Sequence, residues 1–89
     1  MHATTKSTAT ESSAVTLAID LAKDVFELAF ADADGRIVER KRLKRKPFAQ
    51  CLQNRAPLRV VMEACGSAHA WARHFARLGH DVTLLSAQH

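Results

Sequence analysis

The sequence predicts an α/β fold built on a mixed five-stranded sheet, and three observations lead there. Apolar residues recur with period two in consecutive segments, at Val15, Leu17 and Ile19 and again at Phe26, Leu28 and Phe30. At Pro47 the period changes to helical spacing, and from there helix and strand patterns alternate. The length of 89 residues, 47% of them hydrophobic and 25% charged, suits one small folded domain.

Residues 1–13 are rich in Thr, Ser and Ala without periodicity and read as a disordered leader, so the domain is expected over residues 14–89. The first strand runs from about Val15 into Asp20. A second, over residues 24–31, follows a short Leu21-Ala22-Lys23 link. Asp32-Ala33-Asp34-Gly35 carries tight-turn chemistry, with Gly35 able to take the positive φ of a hairpin bulge. A third strand over residues 36–43 then pairs back antiparallel.

Phe48, Cys51 and Leu52 stand at i, i+3 and i+4 behind Pro47, a short helix with proline in its first turn. Leu58-Arg59-Val60-Val61-Met62-Glu63 is a nearly continuous apolar run ending in an acid, the pattern of a strand covered on both faces. Ser67 is the expected N-cap of a second helix whose stripe is Ala68, Trp71, Ala72, Phe75 and Leu78, with Gly79 as its stop. His69, Arg73, Arg77 and His80 form the polar stripe opposite. Residues 82–85 make the fifth strand. The order strand-strand-strand-helix-strand-helix-strand, with right-handed crossovers, gives a mixed sheet with helices on its faces. That is the N-terminal half of a ribonuclease-H-like domain.

Several function classes are excluded or disfavoured at this level. No run approaches the ~20 apolar residues of a membrane span, and the N-terminus lacks the apolar core of a secretory signal, so a cytoplasmic location is expected. Cys51 and Cys65 form no disulfide framework and no C-x-x-C pair, and each is expected to be a small buried residue. No His/Cys spacing matches a zinc site. A sugar-kinase or actin-like ATPase shares the sheet order but needs glycine after the first acid, where this chain has Leu21-Ala22-Lys23.

Two acids carry the candidate chemistry. Asp20 closes the first strand and Glu63 the fourth, and the topology makes those strands parallel neighbours. Carboxylates brought so close repel unless a cation lies between them, and Mg²⁺ or Mn²⁺ prefers such hard oxygen donors. Either acid alone is adequately explained as a turn residue; the matching positions favour a metal-holding pair. The segment Arg40-Lys41-Arg42-Leu43-Lys44-Arg45-Lys46 holds six basic residues in seven. It reads equally as a phosphate contact or as an edge strand protected by charge. The net charge of +4 is compatible with a polyanionic partner.

Ala18-Ile19-Asp20-Leu21-Ala22-Lys23-Asp24 resembles the GIDxAK opening of the DEDD transposases of bacterial insertion sequences. Met62-Glu63-Ala64-Cys65-Gly66-Ser67-Ala68-His69-Ala70-Trp71-Ala72-Arg73 is similar to their second signature, and Arg77-Leu78-Gly79-His80-Asp81-Val82 to its continuation. The first motif departs at Ala18, where the family commonly has glycine. The resemblance implies a RuvC-like domain in which four acids bind Mg²⁺ for cleavage and exchange of DNA strands, Asp20 and Glu63 matching the first two. It also favours a role at substrate phosphate for Lys23; on the basic run, whose two readings stay open, the candidate phosphate contacts are Arg40, Arg42, Lys44, Arg45 and Lys46. DNA is the implied partner, with a structured guide RNA in some members and self-association or joining of a full-length transposase as further expectations. The third and fourth acids lie, in the family, beyond residue 89. The chain therefore reads as an N-terminal part of such a transposase, catalytically incomplete alone. The alternative is a non-catalytic remnant that binds nucleic acid or a transposase oligomer.

Overall fold

A computed structural model describes residues 13–21 and 24–86. The leader expected over residues 1–13, apart from Ser13, and the candidate phosphate ligand Lys23 lie outside the described residues. The elements follow in the order β1 (Ala14–Leu21), β2 (Val25–Asp32), β3 (Ile37–Lys44), α1 (Arg45–Gln50), β4 (Arg59–Glu63), α2 (Ala68–Arg77) and β5 (Asp81–Leu85). They form one mixed sheet in the order β3-β2-β1-β4-β5, antiparallel from β3 to β1 and parallel from β1 to β5.

The β2–β3 hairpin is closed by the chemistry of its own turn. Asp32 Oδ1 accepts from the backbone N–H groups of Asp34 (2.9 Å) and Arg36 (3.0 Å), and Gly35 takes φ 82°. Period-two alternation in β1 and β2 then sends Leu17, Ile19, Phe26, Leu28 and Phe30 to one face, where all five are buried.

Both helices pack on that same face, so the expectation of helices on both faces is corrected. The reason is the direction of travel. The β3-to-β4 and β4-to-β5 crossovers both move the same way across the sheet, and two right-handed crossovers in one direction leave their helices on one side. The same fact corrects the reading of β4 as covered on both faces: Val60 and Met62 are buried, whereas Val61 is half-buried and Arg59 and Glu63 are exposed.

The core is an aromatic cluster between α1, α2 and β2. Phe48 stacks on Phe26 with ring centroids 4.2 Å apart, and meets Trp71 at 4.6 Å and Phe75 at 5.3 Å edge-on. Trp71 is thus a core residue, as its spacing in the α2 stripe implies.

Helix α2 ends at Gly79, whose φ of 98° turns the chain out of the helix. His80 consequently leaves the polar stripe in which its spacing had placed it and points inward, where it is 5% exposed. Its Nδ1 accepts from the Leu58 N–H (3.0 Å), so Nε2 carries the hydrogen and donates to the Leu52 carbonyl (2.9 Å). One side chain thereby ties the turn after α1 to the start of β4. Ser67 occupies the N-cap position of α2, but its hydroxyl makes no capping hydrogen bond. Cys65 is exposed rather than buried, because it lies in the loop after β4, outside the packed layer.

Candidate nucleic-acid and metal interface

The face of the sheet that no helix covers among the described residues carries the candidate site. On it the pleat and the register assemble rows of side chains from different strands. Asp20 pairs with Glu27 across β1 and β2, and Glu27 pairs with Arg42 across β2 and β3. Parallel pairing of β1 with β4 runs to Ile19 opposite Met62, so Asp20 and Glu63 are the next residues of the two strands. Glu63, Asp20, Glu27 and Arg42 therefore stand in one row on one face, all four exposed. Neighbouring strands lie about 4.8 Å apart, which puts the Asp20 and Glu63 side chains within reach of a common cation. The two sequence-predicted acids thus follow paired residues of neighbouring parallel strands.

Among the described residues, no group of three or more His, Cys, Asp or Glu side chains is arranged to hold a metal ion. The donor chemistry of Asp20 and Glu63 suits Mg²⁺ or Mn²⁺, but two carboxylates supply only part of an octahedral shell. Glu27, the third acid in the row, is engaged elsewhere: Arg42 Nε lies 3.3 Å from its Oε2. Sequence reading did not single out Glu27. The signal was available, since Glu27 sits between Phe26 and Leu28, so the alternation that buries those two sends Glu27 to the face of Asp20.

Below this row the sheet surface is lined by small residues. Ala18 and Ala29 floor a shallow depression of about 370 Å³ whose walls include Asp20, Glu27 and Arg40.

The basic run is divided by the structure. Arg40, Arg42 and Lys44 alternate onto the open face of β3, opposite Ala29, Glu27 and Val25 respectively. Lys41 falls on the helix-bearing side, half-buried, with its Nζ 3.7 Å from Glu39. Arg45 and Lys46 belong to α1 and are exposed. β3 is an edge strand, as the charge-protection reading of the run requires.

One further cation, Arg55, was not singled out in the sequence because its placement is tertiary, and Cys51, expected there as a small buried residue, is half-buried. Arg55 lies over the Phe30 ring, 4.3 Å from its centroid, and 3.6 Å from Glu39. Close by, burial pushes the Cys51 thiol up to about 11, against the opposing influence of Lys41 and Arg55. Among the described residues, no helix is long and apolar enough to cross a membrane.

The chain is similar to transposases. It is 43% identical over 72 residues to a probable family 20 transposase of Pseudomonas aeruginosa, a match covering 81% of this chain and 21% of the relative. It is 40% identical over 73 residues to a transposase of an insertion sequence element of Coxiella burnetii, covering 82% and 20%. With a transposase of an insertion sequence element of Yersinia enterocolitica the identity is 40% over 72 residues, covering 81% and 22%. The chain spans about a fifth of the length of the curated relatives it matches. No family model matches it.

Proposed function

We propose that this chain is the N-terminal part of a RuvC-like, DEDD-type transposase in which Asp20 and Glu63 supply two of the ligands for Mg²⁺ or Mn²⁺. The observation that carries the reading is their position as successive open-face residues of two parallel strands, in a chain similar to transposases. Asp20 and Glu63, both exposed, would hold the ion through their carboxylate oxygens. When bound, the metal would activate a nucleophile and stabilise the leaving oxygen of a DNA strand. The rigid sheet holds both acids without the cost of ordering a loop.

Two carboxylates do not complete the site. On this reading further donors are needed, and residues 1–89 by themselves are expected to be inactive in strand cleavage. DNA is the partner this reading requires.

Paramagnetic broadening of amide resonances on titration with Mn²⁺ tests the metal pair. Broadening centred on Asp20 and Glu63, and abolished in Asp20→Asn and Glu63→Gln, is the expected result. Broadening spread evenly over all surface acids, or unchanged in both variants, would sink the assignment.

A second reading is favoured by the three cations on the open face of β3: a non-catalytic nucleic-acid-binding module. Retention of DNA binding in the doubly substituted Asp20→Asn/Glu63→Gln chain, without metal, is what that reading predicts.

A further inference from the structure

We propose that β3 is a phosphate track: Arg40, Arg42 and Lys44 engage consecutive phosphates of one nucleic-acid strand, and Glu27 competes for the middle cation. The proposal rests on nucleic acid being the partner and adds which cations meet it, in what order, and how the contact is coupled to the acid row.

The spacing is the first argument. Residues two apart on a strand share a face and lie about 6.7 Å apart, close to the separation of consecutive phosphates along one nucleic-acid strand. Arg40, Arg42 and Lys44 are three such residues on the open face of an edge strand, with Val25, Glu27 and Ala29 beside them on β2. Ala29 and the neighbouring Ala18 keep the surface beside Arg40 low, so a sugar–phosphate chain meets no bulky side chain at that end of β3.

The remaining cations of the run do not fit. Lys41 faces the helix side and is held near Glu39, and Arg45 and Lys46 leave the strand for α1. Edge protection alone does not distinguish them, because a charge on either face of an edge strand discourages pairing.

Glu27 is the second argument. Arg42 Nε lies 3.3 Å from Glu27 Oε2, and the two side chains are 72% and 56% exposed. Such a solvated pair is weak and exchanges easily for a phosphate, which offers a guanidinium a bidentate partner. A strand arriving on the track would thus take Arg42 and leave the Glu27 carboxylate beside Asp20, adding negative charge to the acid row as substrate docks.

Binding of the 89-residue chain to a fluorescein-labelled oligothymidylate, followed by anisotropy over a range of salt, tests this. Each of Arg40→Gln and Lys44→Gln should lower the slope of log affinity against log salt by about 0.7, the value for one phosphate of a single strand. Lys41→Gln should leave the slope unchanged. Glu27→Gln should raise affinity and steepen the slope, because Arg42 no longer has to be released. Equal losses in Lys41→Gln, or weaker binding in Glu27→Gln, would overturn the track while leaving nucleic-acid binding intact. Loss confined to Arg45→Gln and Lys46→Gln would do the same by moving the contact to α1. Absence of binding by the unsubstituted chain would remove the track and the partner together.

Discussion

Ile19 on β1 lies opposite Met62 on β4 in parallel register, and that one pairing places Asp20 and Glu63 side by side. Both Ile19 and Met62 are buried against the helices, at 5% and 1% exposure. Slipping either strand by one residue would expose its core residue and send its acid into the apolar layer. The hydrophobic pairing therefore enforces the carboxylate pairing, and the site inherits its geometry from the core.

A cation that binds this pair only in the folded chain stabilises it by linkage. Millimolar Mg²⁺ is expected to raise the thermal midpoint of the unsubstituted chain and to leave that of Asp20→Asn/Glu63→Gln unmoved. Differential scanning fluorimetry at constant ionic strength measures this. An equal rise in both proteins would point to general screening of charge.

Phe48 should be the most costly side chain to remove. It is fully buried and touches three aromatic rings from two elements, so Phe48→Ala is expected to cost about 3–5 kcal/mol. In a domain this small that consumes much of the stability. Loss of near-ultraviolet dichroism and of the urea transition in Phe48→Ala, against near-native values in Phe48→Leu, is the expected pattern.

Replacing His80 by Phe keeps its volume roughly while orphaning the Leu58 N–H and the Leu52 carbonyl, both buried. Each unsatisfied group costs about 1–3 kcal/mol. Hydrogen exchange at the Leu58 amide should accelerate sharply in His80→Phe, and a protection factor equal to that of the unsubstituted chain would show that this hydrogen bond does not hold the segment.

The two thiols should differ in reactivity. Cys51, with its thiol raised to about 11 by burial, remains protonated at pH 8, whereas Cys65 is exposed in the loop after β4. A maleimide or disulfide reagent is therefore expected to modify Cys65 first, with Cys51 reacting only as the fold opens. The sign with pH follows from the same shift. Because the folded thiol holds its proton more firmly than the unfolded one, the stability it contributes is full below pH 9 and is lost as pH rises toward 11. Cys51→Ala should flatten that part of the alkaline limb in urea titrations. A limb of unchanged steepness would assign the loss to other groups.

Element type and order were legible along the chain because the apolar period switches cleanly from two to 3.6 and back. Observed strand boundaries differ from the expected ones by about one residue, as at β3, which starts at Ile37 rather than Arg36, whereas α1 ends at Gln50 and leaves Cys51 and Leu52, expected inside it, in the turn that follows. Asp20 and Glu63 were legible because each interrupts an apolar run at its end. Glu27 and the division of the basic run follow from the same alternation, but only once β2 and β3 have a register to share. His80 and Arg55 were not legible. Polar side chains enter an apolar layer only where specific backbone or carboxylate partners meet them, and those partners lie 22 to 28 residues away for His80 and on β3 for Arg55.

By itself, the sequence determined which segments become strands and helices, and that two of the strands end in acids, since both are local consequences of side-chain periodicity. Only the tertiary structure decided that the two helices share one face, leaving the acid row and the three cations of β3 on the face that no helix covers among the described residues. That outcome depends on the direction in which successive crossovers travel over the sheet. It is a property of strand order, and no single segment encodes it.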